Sequence, residues 1–397
     1  MDTMFSDRIS DVPRSFIREI LKVTLDKEII SFAGGLPNRD LFPVNELKKA
    51  TSKVYDIAGS EVLQYSNSEG FYDLRKFISD RYVKKGFNIS VDNILITTGS
   101  QQGLDVLGKT FLNEHDRVII EEPGYLGAIQ AFSVHRAKFC PVKMDNEGMK
   151  IEPLKEHLVR DDLKLMYTVP NFQNPSGITY SGQRRKDIAA LVKNRWLYLI
   201  EDDPYGELRF FGEAQPSFKS FLPDQTILLG SFSKTIVPSF RIGWIVAPDV
   251  IMDKLIIAKQ ASDLHTNYLC QRIIATYIED NDFDAHIQLI CERYGKQRDA
   301  MISAIKHNFP SDVNHTIPEG GMFLWVTLPE GLSSMELFDI AIKHKVAFVP
   351  GNPFYTYDIA STNNLRLNFS CVDEATIEKG IIRLAEAINE LIQNKNK

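Results

Sequence analysis

The sequence predicts an α/β fold built on a mainly parallel β-sheet. Between Ile94 and Ala247, short apolar segments of strand length alternate with longer segments of helical periodicity, as in a parallel sheet covered by helices. The chain has 397 residues, of which 44% are hydrophobic, so it is long enough for a large core and two domains. Polar residues directly follow the predicted strands, and in such sheets ligands bind beyond the carboxyl ends of the strands.

The predicted elements follow from apolar periodicity and from the turn residues that bound each segment. Strands of the main sheet are predicted at residues 94–98, 117–121, 138–142, 165–169, 197–200, 226–229 and 242–247. Helices are predicted at residues 13–25, 104–112, 126–132, 151–159, 183–193, 251–260, 268–278, 285–306, 337–343 and 374–393, with a further helix beginning near residue 71. Three later strands, at 320–326, 346–349 and 365–369, indicate a second, smaller sheet.

Composition and charge argue against several classes of protein. The net charge is -6 and the pI about 5.8, so no binding to nucleic acid is indicated. The longest apolar segments have strand length and the first residues are polar, so neither a membrane span nor a secretory signal is predicted. Four cysteines lie far apart and match no metal-binding spacing. Free thiols of this kind indicate a cytoplasmic protein.

A lysine between two apolar strands is the first candidate for chemistry. Lys234 follows the strand 226–229 after a polar turn. Desolvation there would lower the pKa of its amine, which could then attack a carbonyl and form a Schiff base. Ser231, Ser233 and Arg241 add hydroxyl donors and a fixed positive charge, which suit a phosphate. An aldehyde and a phosphate at one site suggest pyridoxal phosphate. The alternative is a surface lysine in a polar turn.

Other strand ends carry polar or aromatic residues that could face the same ligand. Gly99 separates a strand from the start of a helix, where the free amides of Ser100 and Gln101 would attract an anion. Tyr125 lies where its ring could stack on a ligand, although a packed core tyrosine is the ordinary case. Asn174 belongs to the turn N-P-S-G, and its amide could donate to a ligand or serve the turn alone.

Two groups of charged residues allow opposite interpretations. Glu201, Asp202 and Asp203 follow the strand 197–200. They form either a solvated or cation-binding loop, or a buried carboxylate that keeps a pyridine nitrogen protonated. No histidine accompanies them, so no metal ion is predicted. Arg366 interrupts an apolar strand. It lies either on the wet face or in a pocket, where it would bind a carboxylate with two parallel hydrogen bonds.

These segments together resemble the class I/II pyridoxal-phosphate aminotransferases of fold type I. The stretch SFSKTIVPSFRIG, at 231–243, matches the family's signature S-x-S-K-x-x-x-P-x-x-R-x-G, and further matching segments run from residue 31 to 369 in the family's order. The branch it resembles most is that of the 2-aminoadipate and kynurenine aminotransferases. The resemblance implies a large domain, 46–285, with a mainly parallel seven-stranded sheet sandwiched by helices. It also implies a smaller α+β domain formed by 1–45 and 286–397.

The resemblance implies a role for each candidate residue. The residues that would bind pyridoxal 5'-phosphate are Tyr65, Ser100, Gln101, Tyr125, Asn174, Asp202, Tyr205, Ser231, Ser233, Lys234 and Arg241. The catalytic residues would be Lys234, Asp202 and Tyr205. Arg366 and Asn174 would bind the α-carboxylate of the substrate, Gly35 would line its pocket, and Arg18 would reach a side-chain carboxylate. Tyr65 would contact the phosphate of a neighbouring subunit, which implies a homodimer.

The implied activity is transfer of an amino group between an L-amino acid and a 2-oxo acid with ping-pong kinetics. Glutamate and 2-oxoglutarate would be one pair, and aminoadipate, aromatic or aliphatic amino acids the other. A lyase or decarboxylase on the same scaffold is an alternative, because such enzymes share the lysine, the aspartate and the phosphate site. A ligand-sensing regulator is a second alternative, but it would need a DNA-binding segment ahead of the pattern that begins near Pro13.

Overall fold

The computed structural model describes residues 4–10, 12, 20, 26, 28–357, 359 and 361–395. Its strands are β1 (Ile30–Ser31), β2 (Ile94–Thr97), β3 (Arg117–Glu122), β4 (Lys138–Asp145), β5 (Gly148–Met149), β6 (Leu163–Thr168), β7 (Tyr198–Asp202), β8 (Thr226–Ser231), β9 (Gly243–Val246), β10 (Asn314–His315), β11 (Phe323–Thr327), β12 (Val346–Ala347), β13 (Val349–Pro350) and β14 (Asn364–Asn368). Its helices are α1 (Asp7–Ser10), α2 (Val44–Ala58), α3 (Tyr72–Lys84), α4 (Ser100–Phe111), α5 (Leu126–Ser133), α6 (Ile151–Leu158), α7 (Gly182–Val192), α8 (Asp249–Asp263), α9 (Tyr268–Asp280), α10 (Phe283–Asn308), α11 (Ser334–Lys343) and α12 (Glu374–Lys395).

The largest sheet has the strand order β2-β9-β8-β7-β6-β3-β4-β5. Strands β4, β3, β6, β7 and β8 run parallel, and β9 pairs antiparallel with both β2 and β8. The prediction of a mainly parallel sheet is therefore confirmed. The sheet has eight strands rather than the expected seven, because the two-residue strand β5 folds back antiparallel onto the end of β4. A strand of two residues is too short to leave a periodic pattern in the sequence.

Helices cover both faces of this sheet. On β8, Leu228 packs in the apolar cluster that contains Leu74 of α3 and Ile274 of α9. The next residue, Leu229, packs in the cluster that contains Leu104 of α4. Successive side chains of a strand point to opposite faces, so a strand buried on both sides is apolar throughout. Full burial of each such leucine contributes roughly 1.5–3 kcal/mol to folding.

A second, antiparallel sheet has the strand order β10-β11-β14-β13. Apolar residues of this sheet share one buried cluster with residues of α10 and α12, and these two helices pack against each other. The short strand β1 pairs in parallel with β12. Next to it, the carbonyl of Phe32 accepts a hydrogen bond from the backbone N–H of Asn368 at 2.9 Å. This pairing brings the early segment that contains Gly35 beside β14, which carries Arg366.

One predicted helix lies almost entirely outside the described residues, and one observed helix was not predicted. The predicted helix 13–25, with Arg18, lies outside the described residues except for Ile20. Helix α2 was not predicted, because of its 15 residues only Leu47, Ala50 and Val54 are buried and its apolar stripe is narrow. None of the helices in the described part of the chain is both long and apolar enough to span a membrane.

Candidate active site

A cavity of about 370 Å³ opens at the carboxyl end of the large sheet. Most of the residues predicted for the site line this cavity, together with Val169, Pro204 and Phe323. The predicted residues that line it are Gly35, Ser100, Gln101, Tyr125, Asn174, Asp202, Tyr205, Ser231, Ser233, Lys234, Arg241 and Arg366. They come from segments more than 300 residues apart in the sequence, and the strand ends and the β14 pairing bring them together.

Lys234 lies in the turn that follows β8 and lines the cavity. Its Nζ donates a hydrogen bond to the carbonyl of Gly35 at 2.7 Å. Burial is the main effect that lowers the pKa of Lys234 to about 8; Cys371 opposes this shift, and the positive charges of Arg366 and Arg241 contribute to it. An amine with such a pKa is partly neutral near pH 8 and is able to attack a carbonyl carbon.

A cradle for an anion lies next to this lysine. No side chain caps the start of α4, so the backbone N–H groups of Ser100 and Gln101 are available to a ligand. Gly99 has φ 75°, and a Cβ there would lie 2.4 Å from Nη2 of Arg241, so only glycine allows the guanidinium this close. Arg241 itself has φ 56°, an uncommon backbone conformation that is often found at functional sites.

The serines of the lysine turn complete the cradle. Ser231 Oγ and Ser233 Oγ are 2.9 Å apart, and Arg241 Nη1 lies 3.5 Å from Ser233 Oγ. Hydroxyls, free amides and a guanidinium arranged in this way are donors that suit the oxygens of a phosphate.

The three acidic residues at the end of β7, Glu201, Asp202 and Asp203, lie in three different environments. Asp202 is only 1% exposed, and its Oδ2 accepts a hydrogen bond from the hydroxyl of Tyr167 at 2.7 Å. Glu201 instead accepts from Ser217, and Asp203 accepts from Asn171 at 2.9 Å. The carboxylates therefore do not converge on one cation. The interpretation of this run as a solvated or cation-binding loop is wrong for Asp202, because that side chain is buried in the cavity wall.

Asp202 has an orphaned oxygen that fits a ligand. Its Oδ1 is buried without a hydrogen-bond partner among the described residues. Burial raises the pKa of Asp202 to about 7, while the hydrogen bond from Tyr167 opposes that rise. A protonated ring nitrogen would satisfy Oδ1 and restore the ionised carboxylate. The sequence did not indicate Tyr167, because it lies inside the strand β6 and resembles an ordinary packed aromatic residue.

Arg366 forms the opposite wall of the cavity. It is 2% exposed, so the alternative of a wet strand face is wrong. Its Nη1 donates to Asn174 Oδ1 and its Nη2 to the carbonyl of Ala33, both at 2.8 Å. The guanidinium lies 4.3 Å from the ring centre of Phe323 and 5.3 Å from that of Phe354. Its Nε is buried and has no partner among the described residues.

Two tyrosines and one unpredicted aromatic residue complete the wall. Tyr205 is 5% exposed and its hydroxyl accepts from Asn174 Nδ2 at 3.5 Å. Burial raises the pKa of Tyr125 to about 12, so it is a neutral phenol at ordinary pH. Phe323 packs edge-on against Tyr205 with ring centres 5.8 Å apart. The sequence predicted the strand that carries Phe323, at 320–326, but not this contact.

Two predicted residues are not part of this cavity as described. Tyr65 is 79% exposed and its ring packs edge-on against that of His265 at 5.8 Å. Arg18 lies outside the described residues. The remaining residues form a coherent whole: an amine of lowered pKa, an anion cradle, an orphaned buried carboxylate oxygen and a buried arginine. Together they define an enzyme that binds a phosphorylated aldehyde and a carboxylate substrate.

Comparison with known proteins identifies the family. Residues 27–384 match the family described as aminotransferase class I and II. The aromatic-amino-acid aminotransferase 1 of Thermococcus litoralis is 40% identical over 395 residues, covering 97% of this chain and 94% of that protein. The 2-aminoadipate transaminase of Thermus thermophilus is 39% identical over 386 residues, covering 96% and 95%.

A solved structure agrees in fold as well as in sequence. The kynurenine aminotransferase of Pyrococcus horikoshii, in complex with PMP, has a TM-score of 0.92 and 42% identity, covering 98% of this chain and 97% of that one. The chain belongs to the class I and II aminotransferases. It has the fold of the type I pyridoxal-phosphate enzymes and is a transaminase that depends on pyridoxal 5'-phosphate.

Proposed function

We propose that the enzyme exchanges amino groups between several L-amino acids and 2-oxo acids. Glutamate and 2-oxoglutarate form one pair, and aminoadipate, aromatic or aliphatic amino acids form the other. The observation that carries this proposal is the placement of Lys234, Asp202 and Arg366 around one cavity. The similarity to an aromatic-amino-acid, a 2-aminoadipate and a kynurenine aminotransferase supports the broad choice of substrates.

The cavity residues divide the work between binding and proton transfer. Arg366 and Asn174 hold the α-carboxylate of the substrate through charge-assisted hydrogen bonds. Lys234 would hold the aldehyde carbon of the cofactor and, once free, would move the proton of the substrate's α-carbon to that aldehyde carbon, on the other side of the amino nitrogen. Pyridoxal phosphate, when bound, supplies the electron sink for this step. Asp202 would keep a proton on the ring nitrogen of the cofactor, Tyr125 would cover its ring and Tyr205 would bind its phenolic oxygen.

The same proposal assigns the residues that bind the phosphate of the cofactor. Ser100, Gln101, Ser231, Ser233 and Arg241 hold the phosphate. Gly35 lines the substrate pocket, and its carbonyl accepts a hydrogen bond from Lys234.

The exposed Tyr65 reaches the phosphate of a second subunit, so the active form is a homodimer. The large domain comprises 46–285, and the smaller one 1–45 with 286–397.

The substrate proposal is tested with a panel of amino donors and one variant. Arg18 is proposed to bind a side-chain carboxylate, so Arg18→Gln should lower kcat/KM for glutamate and aminoadipate about ten- to a hundredfold, because a charged hydrogen bond is lost. The values for tyrosine and kynurenine should stay within about twofold. A uniform fall for all four donors would contradict this role for Arg18.

Product analysis separates transamination from the alternative chemistries. The first half-reaction of a transaminase yields one oxo acid per active site, and turnover then stops until a second oxo acid is added. Continuous release of oxo acid, or of carbon dioxide, without a second substrate would favour a lyase or a decarboxylase.

A further inference from the structure

A buried carboxylate outside the cavity serves the turn that carries Asn174. Glu121 lies in β3 and is fully buried. Its Oε1 accepts hydrogen bonds from the backbone N–H of Val169, the hydroxyl of Thr168 and the hydroxyl of Tyr180, each at 2.9 Å. Its Oε2 accepts from Nε2 of Gln173, also at 2.9 Å. Every one of these donors belongs to the segment 168–180, on either side of Asn174.

The geometry defines which form of Glu121 fits. The side-chain amide of Gln173 is held in one orientation, since its Nε2 donates to the carbonyl of Pro123 at 2.8 Å and its Oε1 accepts from Ser176 N at 2.8 Å. The backbone of Val169 can only donate. Both carboxyl oxygens of Glu121 therefore face an N–H group, and the ionised carboxylate satisfies both. Burial raises its pKa, and the hydrogen bonds from this segment oppose that rise.

The contact continues into the cavity. Gln173 and Ser176 flank Asn174, and Ser176 donates both its N–H and its hydroxyl to Gln173 Oε1. Asn174 is 5% exposed and its Oδ1 accepts from Arg366 Nη1. Displacement of the turn would thus move Asn174 relative to Arg366.

We propose that Glu121 is a positioning residue for substrate binding: through Gln173 it sets where Asn174 stands beside Arg366. The inference rests on the proposed function, in which Asn174 and Arg366 bind the carboxylate of the substrate. A purely structural role for Glu121 would change stability without changing affinity for carboxylates. The two roles therefore differ in what they predict for KM.

The test is a charge exchange between Glu121 and Gln173. In Glu121→Gln an NH₂ group must face either Val169 N or Gln173 Nε2, whichever way the new amide turns. We expect KM for both the amino acid and the oxo acid to rise about tenfold, with kcat within about threefold, because a buried donor is left without an acceptor. The dissociation constant of maleate, an unreactive dicarboxylate, should rise by the same factor when titrated into holoenzyme.

In the double variant Glu121→Gln/Gln173→Glu the new amide donates to the new carboxylate, although the carbonyl of Pro123 then faces a carboxylate oxygen instead of an N–H group. Its KM should therefore lie below that of Gln173→Glu, in which two carboxylates face each other. Tyr180→Phe is the matched control: it removes one donor from Glu121 and leaves both N–H contacts, so KM should stay within about twofold. Unchanged KM in Glu121→Gln, or a double variant whose KM is no lower than that of Gln173→Glu, would overturn the proposal.

Two further variants keep the test decisive. If Glu121→Gln does not fold, Gln173→Glu is compared with the double variant instead. The double variant should then bind maleate more tightly than Gln173→Glu, and equal or weaker binding refutes the proposal.

Arg366→Lys tests the proposed function separately. If Arg366→Lys does not weaken carboxylate binding, the proposed function fails, whereas a loss there with none in Glu121→Gln rejects the role of Glu121 alone.

Discussion

Burial determines the chemistry of Lys234 at the scale of a single residue. The amine is placed among apolar strands and two arginines, and its pKa is lowered from the ordinary 10.5 to about 8. The folded protein therefore binds fewer protons than the unfolded chain between these two values. Below pH 8 the lysine is charged in both states, and above 10.5 it is neutral in both. Its burial is unfavourable at low pH, and this cost disappears as the pH rises.

This sign leads to a prediction for the protein without cofactor. The free energy of unfolding of the wild type, relative to Lys234→Met, should rise by roughly 3 kcal/mol between pH 8 and pH 10.5. Urea unfolding of both proteins across this range measures the difference. Lys234→Met is the suitable reference because methionine has a side chain of similar length but no titrating group. A difference that is constant with pH would mean that the amine is not desolvated.

At the scale of the elements, the strand ends and the start of α4 are proposed to form the phosphate site together. The left-handed backbone of Gly99 leaves room for the guanidinium of Arg241 directly against it. Neither the loop nor the helix would supply the site alone. The amides of the helix start attract the anion, and Arg241 from the turn after β8 adds a full charge.

Gly99→Ala should therefore weaken cofactor binding. The new methyl group would displace Arg241, so the dissociation constant of pyridoxal phosphate should rise about ten- to a hundredfold through loss of a charged hydrogen bond. Gly59→Ala is the control, because Gly59 also has a positive φ but an added Cβ there meets nothing within 4 Å. Equilibrium titration of both variants measures the dissociation constant of pyridoxal phosphate. If it rises equally in both, the effect comes from strain in the backbone and not from the displacement of Arg241.

Site residues could be predicted from the sequence where they directly follow a predicted strand. Contacts between side chains of elements distant in sequence could not be predicted. Strand ends followed by polar residues placed Asn174, Asp202 and Lys234 at one edge of the sheet, because parallel strands all end there. The same reasoning could not find Phe323 beneath Arg366, or Tyr167 beside Asp202. Those contacts depend on side-chain packing between strands, which periodicity does not encode. The two-residue strand β5 was missed for want of length.

At the scale of the whole molecule, the site is proposed to be complete only in a dimer. Tyr65 is 79% exposed, is not among the residues that line the cavity of its own chain, and packs against His265. An exposed tyrosine of this kind suits an interface, where one end of the ring is buried and the hydroxyl finds a partner. The smaller sheet brings Arg366 to the cavity from the same chain, whereas Tyr65 would come from the other.

Mixing two defective variants tests this assembly. Lys234→Ala lacks the reacting amine, and Tyr65→Ala should bind cofactor about tenfold more weakly through loss of a hydrogen bond to phosphate. When the two are unfolded together and refolded at limiting cofactor, mixed dimers should contain one intact site. We expect an activity that neither variant has when refolded alone. A mixture no more active than the average of its components would contradict a shared site.

The central claim is that Lys234 holds pyridoxal phosphate for amino transfer, and visible absorption tests it most directly. Wild-type protein titrated with pyridoxal phosphate should gain a visible band that disappears on adding glutamate and returns on adding a 2-oxo acid. Borohydride reduction followed by peptide mass analysis should place the cofactor on Lys234, and Lys234→Ala should lose turnover by at least about a thousandfold. A wild type that takes up no cofactor, or a Lys234→Ala variant with normal turnover, would contradict the account.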